Sequence, residues 1–544
     1  MFRRDWFLYI CGYFMLVTCQ TPSKTVTIDQ GPVKGYRSPK GDVFVFYGIP
    51  YATAPTGTQK FRPPLPPPSW TDTLEAVENN IICPQNLGLR NVIGDFKMQE
   101  DCLIANVYVP DTEERNLPVV VYVHGGAYQF GYGADVSPIN MVNSKKIVAV
   151  NFNYRVGAHG LLCLGTKNVP GNAGMKDQVA LLRWVQNNIA QFGGNPNEVT
   201  ISGCSAGGSS VDLLMLSKAT KGLFNRVVLE SGSNTASFSV QVDPIANAKM
   251  IANELNVSVD DFDGLENFYK TAPYEMLYKI NVGEQKDTST VFAPCIERDI
   301  GEEMFLDDHP VNILKSGEYP KYPMLYGITD MEGLYRVNNF DTWKDEMNEN
   351  FAVFLPEDLQ FENEEVKQEV AQKIKQFYFG EEPVSEANIL QYVQYFTDVM
   401  FGVGAAKNVE LQVEAGNNQI YLYEYAFVDD SVDYVPYTNI RGARHCSQGR
   451  AVWDANDESK LSEEFRNMKS VMRELWLNFI TTGKPVLDGS KYLAWPPVGR
   501  NRSPYMLLNT TLELKNSFLG NRATFWDEIY EKHFRMPIKP NAFL

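Results

Sequence analysis

At 544 residues the chain can bury a large core, as one big α/β unit or as several smaller ones. Its composition, 44% apolar and 12% aromatic with no repeat or biased segment, is that of a globular protein and argues against a disordered or fibrous one. A net charge of −17 without any basic run argues against nucleic acid as a partner and disfavours anionic substrates.

The chain opens "MFRRDWFLYICGYFMLVTCQTPS", with Arg3 and Arg4 ahead of an apolar run from Trp6 to Thr18. The run is short for a bilayer span and ends in a small-residue pattern, so residues 1–19 are expected to be a signal peptide, with a membrane anchor as the alternative. Residues 20–544 are then the mature chain, expected to be one domain, secreted, and without a further apolar segment of about 20 residues that could anchor it. Six cysteines remain after such cleavage: Cys83, Cys102, Cys163, Cys204, Cys295 and Cys446. In a chain this long one or two disulfides are expected. Asn256-Val-Ser, Asn501-Arg-Ser and Asn509-Thr-Thr are N-glycosylation acceptors, the second followed by Pro504.

Short strands separated by turns follow in "VTIDQGPVKGY" and "GDVFVFYGIPYA", then the stiff Pro-rich connection "FRPPLPPPSW". "LPVVVYVHGGAY" and "KIVAVNFNYR" carry continuous apolar runs, the pattern of strands buried on both faces. "DQVALLRWVQNNIAQF" has helical spacing, with a Gly-Gly-Asn-Pro stop and the strand "EVTISG" after it. "RVVLESGS" and "YPMLYGI" add buried strands, residues from about 340 to 420 read as a helical excursion, and "EEFRNMKSVMRELWLNFITTG" is helical again. Strands alternating with helices predict an α/β fold with a mostly parallel central sheet flanked by helices on both faces.

Within "VTISGCSAGGSSV", Gly203-Cys-Ser-Ala-Gly207 has a strand before it and a small-residue helix start after it, the setting of a nucleophile elbow. Such a turn holds Ser205 at a strained backbone angle that projects its Oγ, and a side chain at 203 or 207 would collide with neighbouring backbone. A serine needs a base. Of the five histidines, His309 precedes Pro310 in an acidic turn, His533 lies near the C-terminus, and His124 and His159 fall before the nucleophile among glycines. His445, in "RGARHCSQGR", stands far downstream, where the order nucleophile, acid, histidine puts the base. In "VHGGAYQFG" Gly125, Gly126 and Ala127 follow a buried strand, as in loops whose backbone N–H groups bind an oxyanion.

With "FYGIPYATAPTGTQKF", "EDCLIANVYVP", "VVVYVHGGAY", "VPGNAGMKDQVALLRWVQNNIAQFGGNPNEVTISGCSAGGSSV" and "VVLESGS", the chain resembles the type-B carboxylesterases, the cholinesterase-like branch of the α/β-hydrolase fold, from about residue 26 to 530. The resemblance implies a Ser–Glu–His triad whose acid lies in "ITDMEGLY", at Glu332, with Asp330 as the alternative. It implies oxyanion donors at Gly126, Ala127 and Ala206, a disulfide between Cys83 and Cys102, small-molecule ester substrates, and neither metal nor organic cofactor. There are departures. Relatives often carry Glu where Cys204 stands, and "GDE" or "GYE" where this chain has "CSQG". The first disulfide loop lacks the Trp on which cholinesterases hold an ammonium group, Phe96 being its single aromatic. Thr288 and Thr290 fall roughly where cholinesterases place acyl-pocket aromatics, and "ANELNVSVDDFDGLENF" lacks the cysteine of a second family disulfide.

These features lead to a secreted serine carboxylesterase working through an acyl-enzyme. The alternative is a non-catalytic, neuroligin-like adhesion or signalling ectodomain. Cys204 and Cys446 adjoin Ser205 and His445, so a working triad brings them close. A bridge between them and two free buried thiols are both compatible with the sequence.

Overall fold

The continuous apolar runs of the sequence become the middle of a large sheet. The structure, a computed structural model, describes residues 21–89, 95–259, 261–280, 285–454 and 457–540. The expected leader, 1–19, lies outside the described residues. The strands are β1 (Ser23–Ile28), β2 (Gly31–Arg37), β3 (Val43–Pro50), β4 (Leu74–Glu75), β5 (Ile81–Ile82), β6 (Lys97–Met98), β7 (Ile104–Pro110) and β8 (Leu117–Val123). They continue with β9 (Val148–Phe152), β10 (Gly194–Cys204), β11 (Arg226–Glu230), β12 (Met324–Thr329), β13 (Ile420–Tyr425), β14 (Tyr505–Leu508) and β15 (Leu512–Lys515).

Among the described residues the main sheet runs in the order β1-β2-β3-β7-β9-β8-β10-β11-β12-β13-β14-β15, with β4 paired to β2. From β9 through β8 to β14 every pair is parallel, and the antiparallel pairs sit at the two ends. This is the mostly parallel sheet that the alternating strand and helix text predicts.

The strand period of two divides the apolar residues between two cores. Val119, Val121 and Val123 of β8 enter one cluster, with Met175, Val179 and Leu182 from the helix Ala173–Asn188. Val120 and Tyr122 of the same strand enter the other, with Met472, Trp476 and Phe479 from the helix Glu463–Thr482. Side chains on both faces are therefore covered, which is why these strands read as unbroken apolar runs.

The helical text from about 340 to 420 forms Phe340–Glu349, Glu364–Phe379, Ile389–Thr397 and Val403–Glu414. Asn363 caps the second, its side chain accepting from the Val366 N–H, an Asx N-cap ahead of the acidic first turn Glu364–Glu365. Trp343, Ile374, Tyr392 and Val409 pack into the same core cluster as the sheet residues above. The excursion thus shares the main core.

Three disulfides are present among the described residues where one or two were expected: Cys83–Cys102, Cys163–Cys295 and Cys204–Cys446. The second joins cysteines 132 positions apart. Asn172 holds the Cys295 backbone, accepting from its N–H at 2.9 Å and donating to its carbonyl at 2.8 Å. No helix among the described residues is long and apolar enough to cross a membrane.

Candidate active site

Ser205 stands between the end of β10 and the helix Ala206–Leu216, at φ 62°, ψ −129°. Its N–H donates to the Glu230 carbonyl at 2.9 Å, and its own carbonyl accepts from Ser209 at 2.9 Å, which fixes the turn from both sides. The glycines around it are a matter of space. A Cβ on Gly203 would lie 2.4 Å from the Gly207 carbonyl oxygen, and one on Gly207 would lie 2.2 Å from that of Val123.

The loop after β8 approaches from the other side. Gly126 (φ 109°), Ala127 (φ 51°) and Tyr128 (φ 60°) form a left-handed run. A Cβ on Gly125 would lie 3.1 Å from that of Ser205, so loop and elbow are in contact. Among the described residues none of the N–H groups of Gly126, Ala127 and Ala206 donates to a protein acceptor. Uncommitted N–H groups beside a serine can receive a developing oxyanion.

His445 and Glu332 meet behind the elbow. His445 Nδ1 lies 2.5 Å from Oε2 of Glu332, which is fully buried. The other carboxylate oxygen accepts from the Thr329 N–H at 2.7 Å and from the Ser231 hydroxyl. Ser231 in turn accepts from Gln448 Nε2 at 2.7 Å, so its hydrogen is directed to Glu332. Asp330 faces elsewhere: its carboxylate accepts from the Ala443 N–H at 2.8 Å, and burial pushes it up to about 7. Of the two acids in the turn, Glu332 is the one that touches the imidazole.

Two aromatic rings frame that imidazole. Phe401 lies over it with ring centroids 4.3 Å apart, and Tyr335 meets it at 5.5 Å in a T-shaped contact. Phe401 is delivered by a π-helical segment, Asp398–Gly402, an irregularity frequent at functional sites. Nε2 and Ser205 Oγ share no hydrogen bond in the structure. Nε2 lies instead 3.7 Å from Sγ of Cys446.

The other histidines have structural roles. His124 stacks on Tyr154 at 4.2 Å. His159 is fully buried, which pushes it down to about 3. His309 caps the helix Pro310–Ser316, accepting from the Val311 N–H, and burial pushes it down to about 4. His533 packs on Phe361 at 5.1 Å.

Thr288 is buried and bonds to Ser237, which donates to the carbonyl of Val399 within the π-helical segment, whereas Thr290 is half-buried. Phe96 packs edge-on against Tyr132 at 5.1 Å. Cys83 and Cys102 are joined with Cα atoms 5.1 Å apart, Cys204 and Cys446 with Cα atoms 6.2 Å apart. No group of three or more His, Cys, Asp or Glu side chains among the described residues could hold a metal ion.

The profile of the Carboxylesterase family matches residues 22–526. The chain belongs to the carboxylesterase family. It is a carboxylic-ester hydrolase with the α/β-hydrolase fold. Esterase FE4 of Myzus persicae is 31% identical over 91% of this chain and 90% of its own length. The crystal structure of juvenile hormone esterase from Manduca sexta, with OTFP covalently attached, superposes with a TM-score of 0.82 at 28% identity, covering 94% of this chain and all of that one. Neuroligin-3 of Mus musculus is 26% identical over 95% of this chain and 70% of its own length.

Several residues around this carboxylesterase's site escape motif reading. Ser231 follows the strand β11 and reaches Glu332 across 101 positions, and Gln448 reaches Ser231 across 217. The one sequence signal for Ser231 is its place directly after a buried strand end, in "LESGS". Phe401 carries none.

Proposed function

We propose that this carboxylesterase is a secreted serine hydrolase that cleaves carboxylic esters through an acyl-enzyme. His445 takes the proton of Ser205 as the hydroxyl attacks the ester carbonyl. Glu332 holds the imidazole by Nδ1 and stabilises its charged form. The N–H groups of Gly126, Ala127 and Ala206 bind the tetrahedral oxyanion. Water then attacks the acyl-enzyme with His445 again as base. The observation that carries this reading is the 2.5 Å contact of His445 with a fully buried Glu332, beside a serine on a strained elbow. Reaction requires Nε2 to move onto Oγ when substrate arrives. The covalent attachment of OTFP in the Manduca enzyme is in keeping with a nucleophile in this fold.

Secretion, removal of residues 1–19 and a single mature domain belong to the same reading, supported by three bridged cysteine pairs of the kind oxidising compartments maintain. A fluorophosphonate probe tests the chemistry. Labelling of the wild type at Ser205, absent in Ser205→Ala, is the expected result; an unlabelled wild type would overturn the assignment of Ser205 as the nucleophile. A panel of p-nitrophenyl esters of graded acyl length would then define the acyl group.

A further inference from the structure

The two reacting side chains are each followed or preceded by a cysteine, and the two cysteines are joined. Cys204 ends β10 directly before Ser205, and Cys446 directly follows His445 and caps the helix Ser447–Val452. The bridge spans 242 positions, so it ties the nucleophile elbow to the histidine loop, two segments with no local connection. Cys446 holds φ 61°, ψ 19°, a left-handed conformation that favours glycine. A non-glycine residue persists in such a conformation when its surroundings over-determine it, and the covalent link to Cys204 does so here.

The sulfur also touches the chemistry. Sγ of Cys446 lies 3.7 Å from Nε2 of His445, the nitrogen that must receive the Ser205 proton. In a disulfide that sulfur has neither hydrogen nor charge, so it does not compete for the Nε2 lone pair. A thiol would. Cysteine beside histidine forms a thiolate–imidazolium pair when the proton moves from sulfur to nitrogen.

We propose that the Cys204–Cys446 bridge is a redox-controlled positioning element for ester hydrolysis: closed, it locks the histidine loop to the elbow and leaves Nε2 for Ser205; opened by a dithiol, it turns the site off. This rests on the reading of Ser205 and His445 as nucleophile and base. In the opening step a thiolate of the dithiol attacks one bridge sulfur and forms a mixed disulfide. The second thiol of the reductant then displaces it. Two electrons and two protons pass to the pair, leaving Cys204 and Cys446 as thiols and the reductant as its cyclic disulfide. Transfer of the Cys446 proton to Nε2 then occupies the base.

The test compares hydrolysis of a p-nitrophenyl ester by oxidised wild type, dithiothreitol-treated wild type with opening of this bridge verified by peptide mapping, Cys204→Ala, and the pair Cys204→Ala/Cys446→Gly. Opening the bridge in wild type should lower kcat at least tenfold, reversibly on reoxidation. Cys204→Ala, with its Cys446 thiol permanently free, should show the same loss and a second titration in its pH–rate profile. The double variant has no thiol beside Nε2 and a glycine in the left-handed position. It should lack that titration and, whatever its activity, not respond to the dithiol, although it retains the other two bridges. A wild type that loses less than tenfold with the bridge mapped as open would overturn the proposal. So would a double variant that responds to the dithiol as the wild type does. Failure of oxidised wild type to label with fluorophosphonate at Ser205 would instead remove the underlying assignment of the nucleophile.

Discussion

Ser205 keeps a backbone angle that an L-residue rarely adopts, φ 62° with ψ −129°, and strain of this kind gathers where a side chain must be presented. The hydroxyl takes part in no core packing, so Ser205→Ala should leave the fold intact while lowering kcat by about 10⁶, the scale for loss of a triad nucleophile. Retention of more than a hundredth of wild-type turnover would disprove the role. Glu332 offers a finer comparison. Glu332→Gln keeps the shape and loses the charge that stabilises the imidazolium, so kcat should fall by about 10⁴ with little change in KM. Asp330→Asn changes a carboxylate that touches the Ala443 N–H and not the imidazole, and steady-state kinetics should find the smaller loss there. Equal losses would reassign the acid.

At the scale of elements, the elbow works because β10, the helix after it and the loop after β8 approach almost without side chains between them. A methyl group on Gly207 would stand 2.2 Å from the Val123 carbonyl oxygen, backbone that cannot turn aside. Gly207→Ala should therefore cost about 3 kcal/mol, the upper end for overpacking, read as a lower urea midpoint. An unchanged midpoint would mean the two segments are not held so close. The loop closed by Cys83 and Cys102 raises a question of specificity. Its aromatic residue Phe96 is engaged with Tyr132 at 5.1 Å, and the loop contains no Trp to hold an ammonium group. Acetylthiocholine should accordingly be a poorer substrate than a neutral thioester of the same acyl group; equal kcat/KM values would refute this.

Over the whole molecule, burial acts on the carboxyl groups in one direction. It pushes Glu230 and Asp212 up to about 8, Asp330, Glu357 and Asp358 up to about 7, and Asp398 up to about 6. A carboxyl whose folded value is raised binds its proton in the fold and releases it on unfolding. Its contribution to stability is thus full below the ordinary carboxyl range and is lost as pH rises through the folded value. For Glu230 that window runs from 4.5 to about 8. Its carboxyl group is fully buried beside Trp476 of the helix Glu463–Thr482. Glu230→Gln removes the ionisable group at constant shape. Between pH 5 and pH 8.5 its melting temperature should fall less than that of the wild type, by at least about 1 °C. Parallel pH curves for the two proteins would show that Glu230 does not titrate in this window.

Features that depend on near neighbours were legible in the amino-acid order. Unbroken apolar runs such as "PVVVYV" specify strands covered on both faces, helical spacing specifies Ala173–Asn188 and Glu463–Thr482, and the glycines around Ser205 specify a sharp turn. Family likeness carried this as far as Glu332. Which distant groups meet depends on how the elements pack. That packing paired Cys163 with Cys295, chose a bridge over free thiols for Cys204 and Cys446, set Ser231 and Gln448 behind the acid, and laid Phe401 on His445. Each of these contacts joins segments from about 40 to more than 200 positions apart. Periodicity and turn chemistry act over a few residues, so they form the elements. Contacts at such separations are settled only when the two cores close around the sheet and bring those elements within a side chain's reach.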